Sequence, residues 1–202
     1  MIAAAAASTI ESLAHEVRRL LEGAPGAASF LAGWPVLSVS RAALPQTLPV
    51  CRWLVDLERG ASPATLALVQ QIAAAAPMLD WRQTYSAIDF GDRFLDRYGW
   101  TELIGMRGPI ASAEVACGLL MLGPHIDYPA HAHEAEELYL PLAGAALWRR
   151  GDEDFAMRPP GFAIRHMSWE PHAMRTHDDP MLAIYVWRGG DLAAKSKIVG
   201  RE

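Results

Sequence analysis

Long apolar runs, basic clusters, paired cysteines and internal repeats are all scarce in this chain of 202 residues, and each shortage removes a class of function. Although 51% of the residues are hydrophobic, no stretch approaches the ~18 uninterrupted apolar residues of a membrane span. The opening MIAAAAAST resembles a short apolar signal core, but no basic residue precedes it and charge returns at Glu11 and Glu16, so no signal peptide is expected. Eighteen Lys and Arg against 23 Asp and Glu leave a net charge of −5 and no basic run able to follow a phosphate backbone, which argues against nucleic acid as a partner. The two cysteines, Cys51 and Cys117, sit far apart in apolar surroundings and suit buried thiols of a reducing compartment rather than a disulfide framework. A soluble, cytoplasmic protein with one well-buried core is the expectation.

Residues 1–95 read as mostly helical. In STIESLAHEVRRLLEG, Ser8 is placed as N-cap with Glu11 three residues on, followed by Ile10, Leu13, Val17, Leu20 and Leu21 at helical spacing and Gly23 as the stop. A second helix is expected from Ser62 and Pro63 through ATLALVQQIAAAA to Pro77, and a shorter helical piece around Leu48–Leu57. The first helix is amphipathic enough to pack on the rest of the chain or on a second copy, so a homodimer is one use of its apolar face.

Residues 96–202 change character. GWTELIG, AEVACGLLMLG, EELYLPLAG, ALWRRG, FAIRHMSW and MLAIYVWRGG are short apolar or alternating runs bounded by Gly, Pro and Asp, the pattern of consecutive strands in a sandwich or barrel. RYGWTELIGMRGP, at the start of this half, reads as an ordinary connection, with a lid as the alternative.

Six of the seven histidines fall between His125 and His177. In an extended segment His131 and His133 point the same way, as do Glu137 and Tyr139 on the strand that follows, with Leu138 and Leu140 on the opposite face. A turn through EAE lets His133 and Glu137 converge. Two imidazoles and a carboxylate form a mixed N/O set suited to Zn(II), Fe(II), Mn(II), Co(II) or Ni(II), with positions left open for substrate or water. A further ligand is expected from WEPHAMRTH, where His172 is the better candidate and His177 the weaker.

His131-x-His133-x3-Glu137-x6-Gly144 resembles the first motif of the cupin superfamily, and RPPGFAIRHMSWEPHAM resembles its second, although Ile164 stands where a histidine would follow Pro159-x-Gly161. The fold this implies is mainly β, a cupin double-stranded β-helix (a small jelly-roll barrel) preceded by the N-terminal helical region. DYPAHAHEAEELY, WEPHAMRT, the tryptophan of YVWRGG and a helical N-terminal half are similar to the bacterial dimethylsulfoniopropionate lyases of the DddQ and DddL group. That resemblance implies a metal site on His133, Glu137, His172 and Tyr139, with His131 as a further candidate ligand, and a divalent transition metal, zinc or iron foremost.

The implied chemistry can be set against these residues. Elimination from a sulfonium carboxylate needs a base at the carbon next to the carboxylate and a means of stabilising enolate-like charge. A metal holding the carboxylate supplies the second, and Tyr139 the first, provided the metal or neighbouring charges pull its pKa well below the ~10 of a free phenol. Aromatic faces hold the sulfonium by cation–π attraction of roughly 0.5–2 kcal/mol per ring; Tyr128, Trp187, Trp169 and Tyr185 are the candidates. Tyr128 can also position the carboxylate or share the base role, and His131 can contact substrate. His125 reads as support or loop, His166 and His177 as structural or exposed, and Glu134 and Glu136 as turn surface. The same ligands also serve dioxygenases and isomerases, or a small-molecule sensor; a sensor of transcription would need a basic DNA-reading helix that the acidic N-terminal half does not offer.

Overall fold

The computed structural model describes residues 2–200. Helix α1 spans Ile2–Glu22, so the expected cap at Ser8 is overturned. The alanine run propagates helix ahead of it, alanine being the strongest helix former. Thr9 donates its hydroxyl back to the Ala5 carbonyl at 2.9 Å, and Glu11, instead of capping, accepts the Val39 N–H at 2.7 Å and ties down a distant loop. Ile10, Leu13, Ala14, Val17 and Leu21 form the buried face.

Helix α2 (Ala28–Leu31), a 3₁₀ segment (Pro49–Gly60) and helix α3 (Leu66–Ala75) follow. The start of α3 lies four residues after Ser62, because the Thr65 hydroxyl, anchored to the Leu142 carbonyl at 2.6 Å, fixes where the chain turns into helix. A short strand, β1 (Trp81–Arg82), and two single-turn helices, α4 (Ala87–Phe90) and α5 (Asp92–Leu95), complete the N-terminal part. None of the described helices is long and apolar enough to cross a membrane.

The strands are β2 (Tyr98–Gly105), β3 (Ile110–Ala111), β4 (Val115–Leu122), β5 (Asp127–Ala132), β6 (Glu136–Ala143), β7 (Ala146–Arg150), β8 (Ala156–Arg158), β9 (Ile164–His166), β10 (His172–Thr176), β11 (Met181–Arg188) and β12 (Lys197–Ile198). One sheet has the order β1-β2-β4-β11-β6-β9 with β3 on β2, and the facing sheet has the order β12-β5-β10-β7-β8. Together they make the small cupin β-barrel, with the N-terminal helices on its outside. RYGWTELIGMRGP holds a central strand, β2, and the turn after it.

Alternation sorts the seven-stranded sheet into two buried faces. Leu138, Leu140 and Leu142, with Leu182, Ile184 and Val186, share a core with α1 and α3. Tyr139, Ala183, Tyr185 and Leu120 instead face Tyr128, Trp148 and Met174 of the other sheet. Because helices cover one side and a sheet the other, these strands read as near-continuous apolar runs. Cys117 is buried and Cys51 half-buried, both free. Gly144, which closes the first motif, has φ +86° and lies so close to Pro180 that a Cβ would fall 1.9 Å from its carbonyl oxygen. Only glycine permits that approach.

Candidate metal centre and adjoining cavity

The site forms where the chain passes from one sheet to the other. β5 delivers His131, the turn after it His133, and β6 Glu137 and Tyr139. His172 opens β10 directly opposite His131, and Trp187 of β11 lies opposite Glu137. His133, Glu137 and His172 are all buried, with one ligand atom from each lying within 4.8 Å of the others. The same Glu137 oxygen, Oε2, is 2.9 Å from His133 Nε2 and 3.1 Å from His172 Nε2.

Backbone carbonyls set the tautomers. His133 Nδ1 lies 2.8 Å from the Ala135 oxygen, His172 Nδ1 3.0 Å from that of Glu170, and His131 Nδ1 2.9 Å from that of Pro129. A carbonyl can only accept, so each Nδ1 carries the proton and each neutral ring presents an Nε2 lone pair. Two such lone pairs against a carboxylate oxygen do not attract it. One proton can bridge one pair, and His172 Nε2 is left buried without a hydrogen-bond partner. A divalent cation among the three groups satisfies all of them, so the donor set fits a Zn(II)- or Fe(II)-type ion.

Without an ion, a proton on His133 Nε2 takes its place and bridges to Glu137. Burial would raise the Glu137 carboxyl, but the His133 and His172 imidazoles outweigh it and hold Glu137 well below the usual carboxylate range. Burial would lower His133, yet the Glu137 charge holds it above the ordinary imidazole value. His131 is pushed well down by burial and by His172.

The other expected residues divide. Tyr128 stacks on His131 with ring centroids 4.2 Å apart and meets the Tyr85 hydroxyl at 3.2 Å. Trp187 donates Nε1–H to the second Glu137 oxygen at 2.7 Å and lies against His133 at 4.0 Å, so its hydrogen bond orients the carboxylate. Tyr139 is buried, and burial together with the Glu137 charge pushes its hydroxyl well above the ordinary phenol value. The chain's own charges therefore do the reverse of what a tyrosine base needs. Trp169 does not reach the site: it is 49% exposed, with Lys197 over its ring at 5.0 Å. His177 is exposed, and His125 pairs with Asp178 at the surface, 3.4 Å away.

A small cavity of about 70 Å³ adjoins the cluster, lined by Tyr128, His131, Glu137, Tyr139 and Trp187 together with Tyr98, Trp100, Glu102 and Tyr185; Tyr98 lies against Tyr128, with ring centroids 5.3 Å apart, while Glu102 on β2 is separated from Glu137 on β6 by β4 and β11. Through Trp100, Thr84, Arg107 and Ala194 it borders an outer vestibule carrying Arg82, Asp80 and Lys195. Tyr98, Trp100 and Glu102 were not anticipated; the one signal was a glutamate inside the apolar run GWTELIG. Nor was His166 singled out for the interior. It is fully buried, stacks on His172 at 4.1 Å, has no hydrogen-bond partner at either nitrogen, and is pushed by burial down to about 2.

Comparison with known proteins gives a consistent set. The family model for dimethylsulfoniopropionate lyase matches residues 35–183. The dimethylsulfoniopropionate lyase DddQ of Ruegeria pomeroyi is 37% identical over 126 residues, 62% of this chain and 63% of that protein, so the match spans less than two thirds of the curated relative. The crystal structure of DddQ from the same organism superposes with a TM-score of 0.85 at 30% identity, covering 95% of this chain and 96% of that one. A chain from the crystal structures of the lyases RdDddP and RnDddQII gives a TM-score of 0.86 at 32% identity, covering 96% and 98%.

Proposed function

Because the chain belongs to the dimethylsulfoniopropionate lyase family, we propose that it is a metal-dependent carbon–sulfur lyase, converting dimethylsulfoniopropionate to dimethyl sulfide and acrylate. The observation that carries this reading is the convergence of His133, Glu137 and His172 beside a cavity into which Tyr139 also faces. His133, Glu137 and His172 are the proposed ligands, with Tyr139 and His131 adjoining them; zinc and iron lead the candidates, and manganese, cobalt and nickel suit the same donors. When bound, the ion would supply Lewis-acid stabilisation of the substrate carboxylate and would offset the Glu137 charge, which adds to burial in raising the Tyr139 hydroxyl.

The chain's residues do the rest. Tyr139, in its phenolate form, takes the proton from the carbon beside the carboxylate and becomes the phenol. The electron pair of that C–H bond becomes the new C=C bond, and the C–S bond breaks with its pair going to sulfur. Dimethyl sulfide leaves as a neutral molecule, so no general acid is required. Trp187 keeps Glu137 in one orientation, and Tyr128, stacked on His131, closes the cavity wall where the substrate carboxylate lies. The aromatic lining excludes water from the carbanion-like centre.

Headspace gas chromatography for dimethyl sulfide tests this directly. Protein stripped with chelator should be silent, reloading should restore release, and His133→Ala should stay silent under every metal. Absence of dimethyl sulfide from Zn(II)-, Fe(II)-, Mn(II)-, Co(II)- and Ni(II)-loaded protein would refute the lyase function.

A further inference from the structure

We propose that Glu102 is the anionic half of a cation subsite, which holds the positively charged end of a zwitterionic substrate while the His133, Glu137 and His172 end of the cavity holds its carboxylate. That the cation is a sulfonium rests on the lyase function proposed above; that the subsite takes a cation does not.

Glu102 is 7% exposed and lines the same cavity as Glu137. Its Oε1 accepts the backbone N–H groups of Arg107 at 2.6 Å and Gly108 at 2.8 Å, which fix the carboxylate in place. Among the described residues its other oxygen has no donor, and Glu102 has no ion-pair partner. The two nearby guanidinium groups are engaged elsewhere, Arg107 with the Ala193 carbonyl and Arg82 with Asp80. A glutamine would accept the same two N–H groups without burying a charge. Arg107, whose partner is a neutral carbonyl, keeps its charge and with Arg82 offsets part of the cost of burying Glu102; neither guanidinium touches the carboxylate, and a cation in the cavity removes the cost that is left.

The surroundings suit a cation without N–H donors. Trp100 and Tyr185 line the cavity on the Glu102 side with rings, which attract a sulfonium or quaternary ammonium through their faces, and Arg107 already lies over the Trp100 ring, 5.9 Å from its centroid. Register holds the group together: Glu102 pairs with Gly118, and Gly118 with Tyr185. A Cβ on Gly118 would lie 2.8 Å from the Tyr185 hydroxyl, so glycine is what lets that ring approach Glu102. Tyr185 in turn pairs with Tyr139. One row across the sheet thus runs from the proposed base to the proposed cation subsite, and Glu137 and Trp187 head the neighbouring row.

The test compares two carboxylate probes by titration calorimetry on Zn(II)-loaded protein: β-alanine betaine, which ends in a trimethylammonium, and its carbon isostere, in which the nitrogen is replaced by carbon and the tail is uncharged. The parent protein should bind the betaine about tenfold more tightly or better. Glu102→Gln, which keeps the acceptor for Arg107 and Gly108, should reduce that preference to within about threefold; it should raise KM for dimethylsulfoniopropionate about tenfold, with kcat changed less than about threefold. Equal binding of the two probes by the parent overturns the proposal without any variant, and so does a Glu102→Gln protein that keeps the preference. A betaine preference lost in Glu102→Gln, in protein that releases no dimethyl sulfide, would uphold the subsite and refute the lyase function. Dimethyl sulfide release with no betaine preference would do the opposite.

Discussion

Glu137 and Glu102 are buried carboxylates lining one cavity from strands β6 and β2, with two strands between them in the sheet, and the fold treats them oppositely. Glu137 is met by two imidazole nitrogens and an indole N–H and held well below the usual carboxylate range. Glu102 is met by backbone N–H groups at one oxygen, and burial, only partly offset by those hydrogen bonds and by the Arg107 and Arg82 charges, raises its pKa. A carboxylate surrounded by imidazoles whose outer nitrogens are tied to carbonyls is arranged for a metal ion. A carboxylate that shares its cavity wall with Trp100 and Tyr185 and has no ion-pair partner among the described residues suits the proposed role of meeting a cation that arrives with the ligand. With the proposed lyase function, that contrast would put the reacting carbon between them, beside Tyr139.

Tyr139→Phe sharpens that contrast most. Removing a general base costs about 10²–10⁴-fold in turnover, while bound metal, measured by elemental analysis, should stay near the parent level because His133, Glu137 and His172 are untouched. Near-parental turnover would remove Tyr139 as the base. Next in size is Gly118→Ala at the Glu102 end. Its Cβ would stand 1.9 Å from the Thr101 carbonyl oxygen and 2.8 Å from the Tyr185 hydroxyl, so urea denaturation should show a loss of roughly 1–3 kcal/mol, the usual cost of overpacking. Unchanged stability would mean that β2 and β4 adjust freely, and the close approach would then carry no weight.

The smallest effect belongs to His166, behind the Glu137 end. Its nitrogens lack partners, so His166→Phe, a ring of similar shape, should leave stability within about 1 kcal/mol of the parent or above it. A loss beyond about 2 kcal/mol would reveal a hydrogen bond to this ring, with Glu170, 3.9 Å from Nδ1, as its source.

The two ends differ in how legible they were. His131, His133, Glu137 and Tyr139 stand on neighbouring stretches, where alternation pairs His131 with His133 and Glu137 with Tyr139, a turn through EAE brings the two pairs together, and the family resemblance gives Tyr139 its place beside the metal. His172 was reached despite Ile164 in the usual histidine position, through the WEPHAM context and the family resemblance, and the structure sets it on the strand paired with β5, opposite His131. Glu102 was hidden because its strand is buried on both sides, and a two-sided apolar run carries no alternation to say which residues face the cavity. His166 and Trp169 were harder for the same reason in reverse: both lie near β9 and the turn after it, where short pairing leaves facing undetermined, and one proves fully buried while the other is half exposed. At the N-terminus the local capping signal at Ser8 lost to the helix-forming alanines before it.

The most direct measurement sets Glu137→Gln beside Glu102→Gln and records, for each, metal bound per chain and KM for dimethylsulfoniopropionate. Glu137→Gln should lose its metal and all dimethyl sulfide release, whereas Glu102→Gln should retain the parent's metal content and turn over with raised KM. Metal lost from both, or retained by both, would contradict the division of the cavity into a metal end and a cation end.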